Sequence, residues 1–151
     1  MSAMVIAAIV PEWIRKYGIK SLLNTPCASS DCETFLSQGI ERVLGINIVS
    51  SSTPNHVIGD LVNWKPEGEW DAAYVNCFFC GQNASKAGGY AEAARNIAAW
   101  PVRYLILYDT AYIEKDRNTD WHPEFLQAGW TLLESHPAEM VSVVEIWGHA
   151  S

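Results

Sequence analysis

Two stretches of this chain are almost wholly apolar over the length of a strand: residues 42–49, RVLGINIV, and residues 102–108, VRYLILY. A strand with one wet face alternates apolar and polar residues. A strand covered on both faces reads instead as a near-continuous apolar run. Two such runs therefore require a sheet with a layer on each side. Parallel strands of that kind are joined by crossovers, usually helical, so the remaining segments should alternate with helices.

They do so for most of the chain. Residues 3–17 carry a helical pattern with Pro11 near a break, an apolar side continued by Ile14 and Tyr17, and Glu12, Arg15 and Lys16 outward. Gly18 ends it, as glycine commonly does at a helix C-terminus. Residues 19–23 form a first strand. Residues 31–38 form a short helix with Phe35 and Leu36 inward, closed by Gly39. The second strand, 42–49, leads into a polar loop, Ser50 to Pro54. A brief third strand, 56–58, ends in Gly59-Asp60, and Lys65 to Gly68 is a turn. Residues 70–75 are a fourth strand and 81–89 a loop. Residues 90–100 are an Ala-rich helix stopped by Pro101. After the fifth strand, 102–108, residues 111–122 are loop and 123–128 a short helix with Pro123 in its first turn. Strands at 130–135 and 140–147 are close enough to pair as an antiparallel hairpin.

This order predicts an α/β fold: a pared-down three-layer sandwich with a mostly parallel sheet and a C-terminal antiparallel hairpin. Only loops fit after strands two and three, so helices are missing there. With 151 residues and no linker or repeat, one domain over residues 1–151 is expected.

Apolar residues make up 49% of the chain and charged residues 18%, a folded composition. The formal net charge is −7, and no basic run is longer than Arg15-Lys16. Nucleic-acid binding usually leaves a basic stripe, so nucleic acid is disfavoured and a small-molecule or protein partner expected. A homo-oligomer is compatible with the composition. Met1 to Val10 lacks a basic leader and is too short to span a bilayer. No membrane association is expected, the cytoplasm is the default location, and the four cysteines are expected to be reduced.

In an open α/β sheet, ligands bind beyond the carboxyl ends of the strands, where the strand order reverses. Two runs fall at such ends: Asn24-Thr-Pro-Cys-Ala-Ser-Ser30 after the first strand and Asn76-Cys-Phe-Phe-Cys80 after the fourth. If their strands are neighbours, both face one cleft.

The element order over residues 19–148 resembles the Rossmann-like S-adenosylmethionine-dependent methyltransferases, with the final hairpin as the most particular feature; the resemblance implies a Rossmann-like three-layer sandwich whose parallel strands are ordered 3-2-1-4-5. In that family the loop after strand one is acidic and glycine-rich. Here the matching stretch holds Asn24, Pro26, Cys27, Ala28 and Ser29 and no glycine, although Ala28, Ser29 and Ser30 are small. The resemblance implies that this loop meets the cofactor's methionine part. It further implies that Asn47 takes the ribose position, where the family carries an acid, and that Asp60 takes the acidic position facing the adenine amino group. Asn76-Cys-Phe-Phe79 echoes the Asn-Pro-Pro-Phe motif of amino methyltransferases without its prolines. Asn76 is thereby implied both to touch S-adenosylmethionine and to take part in catalysis. Asp109, at the end of strand five, could orient a substrate amine or act as base, or cap the segment that follows.

Other candidates have plainer explanations. Cys27, Cys32, Cys77 and Cys80 are spaced by four-residue and two-residue gaps, but buried cysteine is commonly a small hydrophobe, and no bound metal is expected. Asp31 and Glu33 suit the start of a helix. His56, His122, His136 and His149 show no metal spacing. Ser29 and Ser30 lack a nucleophile elbow. Trp64, Phe78, Phe79 and Tyr112 could wall a pocket or fill core. Two functions follow: a small methyltransferase acting on an unidentified small-molecule or protein acceptor, or a non-enzymatic Rossmann-like module binding a nucleotide-like ligand or a protein partner. The glycine-free first loop favours the second.

Overall fold

The computed structural model of the chain describes residues 8–25, 31–47, 56–76, 90–110, 122–137 and 142–149. Its elements are α1 (Ile9–Lys16), β1 (Ser21–Thr25), α2 (Asp31–Ser37), β2 (Arg42–Asn47), β3 (His56–Ile58) and β4 (Trp70–Asn76), followed by α3 (Tyr90–Ala98), β5 (Val102–Thr110), α4 (His122–Gln127), β6 (Trp130–Pro137) and β7 (Ser142–His149). The sheet has seven strands in the order β3-β2-β1-β4-β5-β7-β6. β1 to β5 pair in parallel, and β7 is antiparallel to both β5 and β6. The expected order is borne out, with one detail added. The last strand enters the sheet first, between β5 and β6, and leaves β6 at the edge.

Successive residues of the central strands alternate between two cores. On one face Leu22, Val43, Ala72, Tyr74, Ile106, Val144 and Ile146 pack under Val10, Trp13 and Ile14 of α1 and Phe35 of α2. On the other, Leu23, Ile46, Ala73, Val75, Leu105, Leu107 and Trp147 pack under Ala93, Ala94 and Ile97 of α3 and Phe125 of α4. Ala72, Ala73, Tyr74 and Val75 are all wholly buried, which is why no alternation appears in their sequence. The turn that follows β3 holds no helix through residue 69, as expected.

Several boundaries differ from the sequence reading. Strand β1 begins at Ser21 and includes Asn24 and Thr25. Ile19 is occupied in closing α1: its N–H reaches Ile14 O at 3.0 Å while Gly18 N reaches Arg15 O at 3.3 Å. That pair of bonds around Gly18 at φ +63° is a Schellman close. Pro11 does not break α1. It sits in the first turn, where its missing N–H has no intrahelical partner to lose. Leu36 was expected inward with Phe35, but a helix turns 100° between neighbours. Phe35 alone is buried and Leu36 is exposed. Trp100 follows α3 rather than ending it. β5 extends to Thr110, and His136 and Pro137 lie in β6.

Edge strand β6 carries an irregularity in its pairing with β7 between Leu132 and Glu134. Leu132 lies opposite Trp147, which belongs to the α3/α4 face. Glu134 lies opposite Ile146, which belongs to the α1/α2 face. The extra residue thus switches the face on which β6 presents its side chains. Glu134 arrives beneath the end of α1, where its Oε2 accepts hydrogen bonds from Lys16 Nζ at 2.8 Å and Tyr17 OH at 2.6 Å. His136 Nε2 lies 3.5 Å from the other carboxylate oxygen, and the Trp13 ring lies against His136. The Lys16 ammonium, helped by Tyr17, holds the Glu134 carboxyl well down, to about 2.

A carboxyl whose folded value is depressed stabilises the fold above its unfolded value, and that stabilisation fades as pH falls towards the folded value. The pair is partly solvent-exposed, so its contribution is about 1 kcal/mol or less. Glu134→Gln should therefore lower unfolding stability by about that amount at pH 7. The gap from the natural protein should shrink below pH 4.5 and close near pH 2. Urea titrations across that range measure it. A gap independent of pH would contradict the assignment.

Candidate functional site at the carboxyl ends of the parallel strands

After β1 the chain passes to the face that holds α2, and after β4 to the face that holds α3. β1 and β4 are neighbours, so crossovers diverge between them, the arrangement that opens a ligand crevice in sheets of this class.

The pairing register sets the depth of each residue along this edge. Thr25 lies opposite Val75, Val75 opposite Leu107, and Leu107 opposite Glu145. One step further out, Asn76 lies opposite Tyr108, and on the other flank Asn47 lies opposite Ile58. Asp109 comes one step beyond Tyr108 and pairs with Val143. The structure therefore brings Asn47, Asn76 and Asp109 to one end of the sheet, as the sequence expects. Asp109 belongs to the ladder, however, and not to a loop. Asn24 is also a strand residue. It sits opposite Tyr74 and Gly45, wholly buried, one step below the edge and not in the loop. Pro26, Cys27, Ala28, Ser29, Ser30, Cys77, Phe78, Phe79, Cys80 and Tyr112 lie outside the described residues, and the four-cysteine question falls with them.

The turn after β3 is the best-built part of this edge. Gly59 N donates to Asn47 O at 2.7 Å, which ties the start of the turn to the end of β2. Asp60 then folds the chain over itself. Its Oδ1 accepts from Val62 N at 3.0 Å, and its carbonyl accepts from Asn63 N and Trp64 N. An aspartate side chain closing its own turn in this way replaces backbone bonds that a helix would have made. Trp64 is partly buried against the core on the α3/α4 face. It packs edge-on against Trp100, ring centroids 5.4 Å apart, and its carbonyl accepts from the Trp100 indole at 3.1 Å.

Sequence reasoning missed three polar residues. Thr25 is buried at the crevice floor. Glu145 is buried in β7 at the same depth, and its Oε1 accepts from the Trp147 indole at 3.2 Å. An acid inside VVEIW is a visible signal, since a buried carboxylate needs donors. Asn96 in α3 is also buried, and only its placement in an alanine-rich helix could have marked it.

The opposite end of the sheet is built for structure. Asp71 accepts from Lys20 N at 2.7 Å, Ser21 N at 3.1 Å and Arg103 at 3.0 Å, joining β1, β4 and β5. Burial pushes its carboxyl up, but these donors outweigh that and hold it below the usual range. A recess of about 590 Å³ lies there, lined by Trp70, Trp100, Arg103 and His149 among others. Among the described residues, no three His, Cys, Asp or Glu side chains are grouped to hold a metal. Nor, among the described residues, is any helix long and apolar enough to cross a membrane.

No protein-family profile matches this sequence, and no curated protein does. Solved structures do. An S-adenosylmethionine-dependent methyltransferase from Clostridium acetobutylicum matches with a TM-score of 0.70, covering 95% of this chain and 90% of that one at 6% identity. The N-methyltransferase NodS from Bradyrhizobium japonicum, in complex with S-adenosyl-L-homocysteine, matches at 0.69 over 95% and 84% with 9% identity. A complex from E. cuniculi responsible for methylating a translation termination factor matches at 0.60 over 94% and 93% with 14% identity. The chain has the Rossmann-like fold of the S-adenosylmethionine-dependent methyltransferases. The neighbours also include 16S rRNA methyltransferases, so the inference from acidity against nucleic acid finds no support. Net charge speaks to steering of a partner and not to fold.

The turn offers a direct test of its own packing. A Cβ on Gly59 would stand 2.6 Å from the Trp64 ring and 3.0 Å from Ile46 Cγ2. Because Trp64 is wedged against Trp100, Gly59→Ala should destabilise the fold by about 1–3 kcal/mol. Denaturant unfolding monitored by tryptophan fluorescence would read this. A neutral substitution would mean that the turn gives way freely.

Proposed function

We propose that this protein binds S-adenosylmethionine across the carboxyl ends of β1, β2 and β4 and transfers its methyl group. The observation that carries the reading is the sheet itself, with β7 inserted between β5 and β6 and polar residues collected at one end of the parallel strands. Ribose and adenine are adjacent parts of one nucleoside, so their contacts must be adjacent too. The hydrogen bond between Gly59 N and Asn47 O joins the two segments that carry Asn47 and Asp60, and this supports Asn47 for the ribose hydroxyls and Asp60 for the adenine amino group. Asn24, Pro26, Cys27, Ala28 and Ser29 are assigned to the methionine side.

When bound, the cofactor supplies an electrophilic sulfonium methyl group. This chain's part is to place an acceptor in line with it, since positioning accounts for much of the acceleration of such a displacement. Asn76 and Asp109 belong to the neighbouring strands β4 and β5 and differ by one step in depth. Asn76 is assigned to orient the acceptor and Asp109 to orient an amine or take its proton. A second reading is a module that binds the ligand without turnover. It is favoured by the absence of glycine from residues 24–30, where glycine would give the backbone its widest freedom.

Calorimetry with S-adenosylmethionine and S-adenosylhomocysteine tests the reading. Asp60→Ala should weaken binding by about 1–3 kcal/mol, the range for losing a hydrogen bond to a buried polar group. Asn47→Asp should tighten it, because charge-assisted hydrogen bonds are stronger. Absence of binding at millimolar ligand in both the natural protein and Asn47→Asp would overturn the cofactor reading. Labelled-methyl transfer to small-molecule, protein and RNA fractions then separates the enzyme from the binding module. Asn76→Ala should lower the rate with little change in binding.

A further inference from the structure

We infer that Asn96 is a positioning residue for the adenine end of the site, acting through the turn that carries Asp60; the inference rests on the cofactor reading above. Asn96 lies within α3, in the run YAEAARNIA, where alanine would serve the helix better. Its side chain is buried at 8% exposure, and every polar group of its amide is used. Nδ2 donates to Leu61 O at 2.9 Å and to Trp64 O at 2.6 Å. Oδ1 accepts from Lys65 Nζ at 2.8 Å. Two carbonyls need donors and an ammonium needs an acceptor, so the orientation of the amide is fixed by its partners.

These bonds span the turn from Leu61 to Lys65 and fasten it to a helix more than thirty positions later in the chain. Trp100 adds a fourth hold through its indole bond to Trp64 O. The local bonds of Asp60 to Val62, Asn63 and Trp64 shape the turn, but it follows a three-residue strand with no helix directly after it, so Asn96 and Trp100 supply its anchor to the rest of the fold. The opposite end of the turn is already tied to β2 through Gly59. With both ends held, the turn carries Asp60 at a fixed place between β2 and α3. An acceptor group fixed in that way distinguishes a purine with an amino group at position 6, which donates, from one with a carbonyl there, which does not.

The test is isosteric. Asn96→Asp keeps the shape and the Lys65 partner but removes both donated hydrogen bonds and sets a carboxylate against two carbonyl oxygens. Calorimetry with S-adenosylhomocysteine and S-inosylhomocysteine reads affinity and discrimination together. The natural protein should prefer the adenosyl compound. Asn96→Asp should lose about tenfold in affinity for it and lose less for the inosyl compound, so the ratio falls. Trp100→Phe removes the indole hydrogen bond and part of the ring packed against Trp64, and should lower the same ratio by a smaller factor. It serves as the test if Asn96→Asp does not fold. A ratio unchanged in the folded variants overturns the positioning role, as does a natural protein that binds both compounds equally. A natural protein that binds neither overturns the cofactor reading instead, which separates the two failures.

Discussion

The two-sided burial of β4 governs this molecule. Ala72, Ala73, Tyr74 and Val75 are wholly buried, two against each core. The stretch from Ala72 to Val75 can carry no charge, because an unpaired charge there would cost far more than the net stability of a domain of this size. Its neighbours β1 and β5 obey the same restriction over most of their length. Charged groups are therefore displaced to the ends of the strands, and the parallel arrangement gives those ends distinct characters.

At the amino end, one carboxylate is enough to gather three strands. Asp71 takes the N–H groups that open β1 and the guanidinium of β5. Arg42 lies over the Trp70 ring, 3.8 Å from its centroid, and extends the same girdle to β2. The carboxyl end is organised differently. There polar residues end the strands, and the connection after β3 is shaped by hydrogen bonds from a distant helix. One end closes the sheet and the other is the end assigned above to the ligand, a division expected when site chemistry is grafted onto a scaffold.

Much of this was legible in the sequence, because the burial of both sheet faces writes itself into apolar runs. RVLGINIV and VRYLILY gave the parallel core, and the spacing of the last two strands gave the hairpin. The alternation of strands and helices pointed to a mostly parallel sheet, and the order of its first five strands came with the resemblance to methyltransferases. Strand limits were less legible. Asn24 and Thr25 look like loop by residue type, yet the ladder with β4 holds them extended, since pairing and burial override intrinsic preference. The irregularity near Leu132 was invisible because nothing in TLLES marks the change of face. Asn96 was hidden for a related reason. Its partners lie far away in the chain, and its own helix gives no hint of them. Asn47, Asp60 and Asn76 were singled out by the resemblance to methyltransferases, at or just past the ends of β2, β3 and β4.

The central claim is that the ligand sits at the carboxyl ends of the parallel strands. Chemical-shift mapping on isotopically labelled protein during titration with S-adenosylhomocysteine tests it most directly. The backbone amides of Thr25, Asn47, Gly59, Asp60 and Val62 should shift in a saturable way, while those of Arg42, Asp71 and Arg103 at the amino end stay in place. Saturable shifts confined to the amino-end recess lined by Trp70, Trp100, Arg103 and His149, or no saturable shifts anywhere, would contradict it.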